Sequence, residues 1–81
     1  MVAGNHPRRY VERRVQNVLN GDWSQTDLVY DFNQVFCLSS TNRERIYNLM
    51  DEYAEGWIDW YPLINELEKI VTNLRQHLEY V

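Results

Sequence analysis

The chain has 81 residues, a formal net charge of −4, 44% hydrophobic residues and 25% charged residues. This balance is typical of a globular protein and excludes an intrinsically disordered chain, which combines low hydrophobicity with high net charge. The length predicts one helical domain over residues 1–81, with residues 1–6 as a flexible tail.

The first half of the chain predicts two helices. The first runs from about Pro7 to Asn20, and Gly21 is well placed to end it. The second runs from about Gln25 to Leu38, with Ser24 as its N-cap. Helical spacing predicts that these residues face the core: Val11, Val15, Val18, Leu19, Leu28, Phe32, Val35 and Phe36.

A third helix is predicted after the polar run Ser39–Thr41. Thr41 and Glu44 have the spacing of a capping box, so we expect the helix to begin there, continue to about Glu55 and end at Gly56. Its core face is Ile46, Leu49, Met50 and Tyr53. Trp57 follows that face, and we expect it to fill a corner of the core.

The fourth helix has the strongest apolar period in the chain. Asp59 is its predicted N-cap, and its apolar stripe is Trp60, Leu63, Leu67, Ile70, Leu74 and Val81, with Leu78 beside it. At ~1.5 Å per residue this helix is about 30 Å long and the other three are about 20 Å long. The four segments, joined by short connections, predict an all-α four-helix bundle.

The end of the fourth helix is the candidate self-association surface. Leu74, Leu78 and Val81 extend the apolar stripe beyond the expected length of the bundle, and exposed apolar surface of this kind usually has a partner. A second copy of the chain, forming a dimer, is the simplest partner. The alternatives are that the N-terminal tail covers the stripe or that the last turn frays.

Arginines dominate the outer face of the first helix. Arg9, Tyr10, Arg13 and Arg14 form one predicted arc opposite the valines. Positive charge near a helix N-terminus opposes the helix dipole, so local helix stability does not account for the arc. It is therefore a candidate site for the carboxylates or phosphates of a partner. The alternative is a solvated face that pairs with acidic residues elsewhere in the bundle.

The third helix has an acidic outer face. Glu44, Asp51 and Glu55 project together, with Glu52 beside them. A solvated face is the favoured interpretation, and an acidic docking surface for a basic protein is the alternative. Tyr61 projects away from the apolar stripe of the fourth helix, which makes it a candidate interface residue.

Several classes of function find no support in the sequence. A lone cysteine, Cys37, excludes an internal disulfide, and two histidines with one cysteine are too few for a zinc site within the chain. Phosphate loops, nucleophile elbows and paired catalytic carboxylates are missing, so we expect no enzymatic activity, metal, cofactor or small-molecule substrate. The chain has no long apolar run and no apolar leader segment, which predicts a cytoplasmic protein without membrane attachment.

These exclusions leave binding as the expected class of function. We expect a protein-interaction module, that is, a regulator, adaptor or inhibitor that associates with itself through the C-terminal helix. The alternative is a nucleic-acid-binding protein that uses the arginine arc, although a pI of about 5.0 weighs against it. A third possibility is a structural subunit that assembles through the apolar stripe.

Overall fold

A computed structural model of the chain describes residues 7–80, with side chains described for residues 7–72. This part contains four α-helices and no strand: α1 (Pro7–Leu19), α2 (Gln25–Phe36), α3 (Ser40–Ala54) and α4 (Trp60–Tyr80). The predicted all-α four-helix bundle is confirmed.

The four helices run antiparallel to their neighbours and close into a ring, because α1 contacts both α2 and α4. Side-chain pairs fix the register between neighbours. They are Arg14–Asp31 between α1 and α2, Thr26–Tyr47 between α2 and α3, Arg45–Glu66 between α3 and α4, and Arg8–Glu68 between α1 and α4. The bundle is therefore an up-down-up-down arrangement, as the short connections indicate.

The core is one cluster of apolar side chains drawn from all four helices. Within the residues described, no polar or charged residue is buried. The fully buried members with no exposed surface are Val11, Val15, Leu28, Phe32, Ile46, Leu63, Ile64, Leu67 and Val71. The helical periodicity of the sequence thus identifies most of the core correctly.

A residue with positive φ follows each of the first three helices within two residues of its end. Gly21 has a φ of +88° and Gly56 a φ of +83°, a conformation that glycine adopts without steric cost. Cys37 has a φ of +54° and ends α2 one residue after Phe36. Because this reversal comes one residue before Leu38, α2 ends at Phe36 and is shorter than predicted.

The predicted capping box at Thr41 and Glu44 is wrong. The earlier end of α2 leaves Ser39 in an extended conformation, where it becomes the N-cap of α3. Its Oγ accepts a hydrogen bond of 3.2 Å from the backbone N–H of Asn42. Thr41 therefore lies inside the first turn. At α2 the predicted cap is confirmed, and Ser24 and Asp27 form a reciprocal capping box.

Three predicted core residues are exposed instead. Val35 is 53% exposed and Leu19 45% exposed, and both lie in the last turn of their helices, where fewer neighbouring side chains cover them. Trp57 is 78% exposed because the chain reverses at Gly56 and directs the next residue outwards. The corner position is taken by Trp60, whose ring packs edge-on against Tyr53 at 6.2 Å between centroids.

Candidate binding surfaces

The predicted arc on α1 divides into two parts, and the first part faces α2. Tyr10 is half-buried, with its ring centroid 5.9 Å from that of Phe32 and 5.7 Å from that of Phe36. Its hydroxyl donates a hydrogen bond to Asp31. Arg14 donates to the same carboxylate from Nε at 3.1 Å, and its guanidinium carbon lies 4.3 Å from the Tyr10 ring centroid. These contacts join α1 to α2.

The environment of this cluster holds both side chains in their protonated forms. Burial raises the pKa of Tyr10, and the hydrogen bond to Asp31 raises it further because ionised tyrosine could not donate it. The pKa of Arg14 is also raised, chiefly by its hydrogen bond with Tyr10. Tyr10 and Arg14 are therefore both bonded to α2 through Asp31, and Arg14 also lines a groove together with Arg9 and Arg13. That the arc binds a partner stays a prediction.

Arg8 lies off the predicted arc and also has a structural role. Its Nη1 donates to Asn65 at 2.7 Å and to Glu68 at 3.2 Å, which ties the start of α1 to α4. Its Nε lies 3.9 Å from Glu12 one turn along the same helix. Sequence reasoning missed this role, because helical periodicity says nothing about which neighbouring helix a flanking side chain meets.

Arg9 and Arg13 are the two arginines of the arc that are not bonded to another helix among the described residues, and we call this pair the basic surface. Both are exposed. Neither makes a hydrogen bond or an ion pair with any other residue whose side chain is described. A shallow open groove of about 660 Å³ runs beside them, lined by Arg9, Glu12, Arg13, Arg14, Gln16, Asn17 and Trp60.

The residues of the predicted acidic surface on α3 differ in their exposure and contacts. Glu44, Asp51 and Glu55 are exposed, and Asp51 accepts a hydrogen bond of 3.1 Å from the Gln25 amide. Glu52 is half-buried and faces the groove between α3 and α4. Of the four acidic side chains, Glu52 alone lines this groove, and their use as a docking surface stays a prediction.

An ion pair crosses from α3 to α4 next to Glu52. Arg45 Nη2 lies 2.8 Å from Glu66, and Lys69 Nζ lies 3.5 Å from the other oxygen of the same carboxylate. The hydrogen bond from Arg45, together with the charge of Lys69, lowers the pKa of Glu66. Both cationic residues on this face are thus already engaged by Glu66.

The remaining candidate residues are Tyr61 and the apolar residues near the end of the chain. Tyr61 is 67% exposed on the first turn of α4, as predicted, and no described contact joins it to the basic surface. The side chains of Leu74, Leu78 and Val81, and the predicted tail at residues 1–6, lie outside the described residues.

The described residues contain no group of three or more His, Cys, Asp or Glu side chains able to hold a metal ion. None of their helices is both long and apolar enough to cross a membrane. Comparisons with protein-family models, curated proteins and solved structures give no match to this chain.

Proposed function

We propose that the chain is a small non-enzymatic protein-interaction module, a regulator, adaptor or inhibitor, whose basic surface binds an acidic segment of a partner protein. The observation behind this proposal is a difference in bonding among the arginines. Four of the arginines are bonded to other parts of the bundle: Arg8, Arg14, Arg43 and Arg45. Arg9 and Arg13 have no such bond among the described residues, so their guanidinium groups are available to a ligand.

Local stability does not account for these two side chains. The first turn of α1 contains no acidic residue to offset the positive charge of Arg9, and positive charge there opposes the helix dipole. Arg9 and Arg13 are four residues apart, so they lie on one side of α1 and about 6 Å apart along its axis. Two carboxylates one turn apart on a partner helix have the same spacing, and each guanidinium fork can bind one of them bidentately.

Nucleic acid is the second candidate ligand. The groove beside the basic surface also contains Trp60, and arginines next to an aromatic ring are typical of single-stranded nucleic-acid sites. The indole is half-buried against Tyr53, however, and the chain as a whole carries a charge of −4. A dense row of phosphates would be repelled by the rest of the surface, which favours a discrete acidic protein segment.

The test is a pull-down with tagged protein from a lysate of the natural host, with and without nuclease. The wild-type protein is compared with R9E/R13E. The single variant R13E is compared with K69E, which makes the same charge change at an exposed residue of α4. We expect a specific protein to survive nuclease and to be retained at least roughly tenfold less by R9E/R13E, because two charge-assisted contacts are lost.

The controls separate the two ligands. K69E should retain the protein, and circular dichroism should show unchanged helical content in every variant, because the substituted side chains are exposed. Nucleic acid recovered by wild type and lost in R9E/R13E would instead establish the second candidate. Equal retention by R9E/R13E and wild type would place the binding site elsewhere and overturn the proposal.

Self-association through α4 is the second part of the proposed function. Arg8 pairs with Glu68 and Arg45 with Glu66, so α1 and α3 both begin roughly level with residue 70 of α4. The helix continues to Tyr80. The helix therefore extends about 15 Å beyond that level, and the sequence of residues 73–80 continues the apolar stripe. A second copy of the chain is the proposed partner, and the lone exposed Cys37 suits the reducing cytoplasm.

A further inference from the structure

The groove between α3 and α4 is the most promising surface outside the basic surface. It has a volume of about 450 Å³. Its apolar lining comes from Leu49, Ile58 and Pro62, and its polar rim from Arg45, Asn48, Glu52 and Glu66. An apolar floor of three side chains is large enough to receive one aliphatic side chain from another molecule.

The α3 side of this groove carries a carboxylate without a cationic partner. Arg45 is the one basic residue of the lining, and it shares the Glu66 carboxylate with Lys69, at 2.8 Å and 3.5 Å. Glu52 has no cationic partner within the described residues. Glu55, one turn further along α3, is exposed. A ligand that enters the groove therefore meets the Glu52 carboxylate on its α3 side, with the exposed Glu55 following at the end of the helix.

Two exposed aromatic side chains adjoin the groove along the chain. Trp57 directly precedes Ile58, and Tyr61 directly precedes Pro62. Trp57 is 78% exposed and Tyr61 is 67% exposed. Large aromatic side chains with this exposure are enriched where proteins bind one another, since they contribute much contact area once covered.

We propose that the α3–α4 groove binds a basic amphipathic helix of a partner protein. One aliphatic side chain of that helix enters the groove over Leu49, Ile58 and Pro62. Lysine or arginine residues one turn before or after it pair with Glu52 and Glu55, and Trp57 and Tyr61 cover the apolar edge. This is helix-in-groove recognition, in which the apolar side chain supplies affinity and the charges supply specificity.

This site is independent of the basic surface and takes a ligand of opposite charge. A chain with both sites can hold an acidic segment on α1 and a basic helix between α3 and α4. That combination makes the chain an adaptor between two partners, and either site can be lost while the other remains.

The probe is a synthetic lysine-rich helical peptide with leucines at helical spacing on one face. Two matched peptides serve as controls: in one every lysine is glutamate, and in the other every leucine is alanine. Amide chemical shifts of ¹⁵N-labelled protein locate the binding, and fluorescence anisotropy gives the dissociation constant.

The proposal predicts that the lysine–leucine peptide shifts the amides lining the groove and that both control peptides bind at least about tenfold more weakly. E52K should weaken binding at least about fivefold, because it replaces an attractive contact by a repulsive one. D22K makes the same charge change in the α1–α2 turn and should alter affinity less than about twofold. R9E/R13E should leave this affinity no weaker than that of wild type.

Three results would overturn the proposal. Shifts spread over the acidic residues of the whole surface would indicate non-specific attraction. Equal weakening by D22K and E52K would show that net charge alone controls binding. Full affinity of the alanine peptide would show that the apolar floor takes no part. None of these results bears on the basic surface, which the pull-down tests separately.

Discussion

At the scale of single residues, some charged side chains of this protein bond to other parts of the bundle and others are exposed to solvent. The Asp31 carboxylate accepts hydrogen bonds from Tyr10 and Arg14, and so holds two side chains of α1 against α2. A hydrogen bond to a charged acceptor contributes about 1.5–3 kcal/mol when screened from solvent and less at a half-exposed position such as this one. This cluster accounts for Tyr10 and Arg14, and it leaves Arg9 and Arg13 available for binding.

Tyr10 should make the stability of the protein depend on alkaline pH. Burial and the Asp31 hydrogen bond raise its pKa above the ordinary value of 10.0, so the folded state holds the phenolic proton more tightly than the unfolded state. This contribution to stability is complete below pH 10 and is lost as the pH rises through the pKa of the folded state. Urea unfolding of wild type should therefore show a decline in the free energy of unfolding above pH 10.

Y10F should remove that part of the decline. At neutral pH it should also cost about 1 kcal/mol, because the hydrogen bond to Asp31 is lost. Y61F changes an exposed tyrosine and should retain both the wild-type stability and the wild-type pH dependence. If Y10F and wild type lose stability in parallel above pH 10, the phenolic proton does not stabilise the bundle.

At the scale of helices, periodicity in the sequence predicts most of the core but not the helix ends. Val11, Val15, Ile46 and Leu67 recur at helical spacing, and all four are fully buried. Val35 has the same spacing and is exposed, because periodicity gives a direction around the helix axis but not the extent of the neighbouring helices. The positions at which helices end decide which members of a face are covered.

The candidate surfaces could be predicted only in part, for a similar reason. The sequence indicated an arginine-rich face on α1, and Arg9 and Arg13 are exposed there. It did not indicate that Tyr10 and Arg14 turn towards Asp31, since that acceptor comes from another helix. The α3–α4 groove depends on the packing of two helices and their connection, which no local pattern encodes.

The start of α3 gives a direct test of which residue caps it. Ser39 Oγ accepts from the backbone N–H of Asn42, whereas Thr41 lies within the first turn. S39A should lower the free energy of unfolding by about 1 kcal/mol, because it leaves a helix N-terminal donor without its acceptor. T41A should change it by less than about 0.5 kcal/mol. The reverse order in urea unfolding would show that the helix begins at the capping box predicted from sequence.

At the scale of the whole molecule, the length of α4 sets it apart from the other helices. It contains 21 residues, against 13 in α1, 12 in α2 and 15 in α3. Its apolar residues remain buried as far as Ile70 and Val71, close to the level at which α1 and α3 begin. The apolar period of the sequence continues past that level, and a second copy of the chain is the proposed partner for it.

Light scattering should therefore give about twice the mass of a single chain for wild type. L74A/L78A should return the mass to that of one chain and weaken dimerisation at least about tenfold, because each substitution removes apolar area from the contact. L19A truncates an exposed leucine at the far end of α1 and should leave the dimer intact. Helical content should persist in both variants, since the buried core of residues 11–71 is untouched. A wild-type protein with the mass of one chain at all concentrations, or a dimer that survives L74A/L78A, would exclude α4 as the self-association surface.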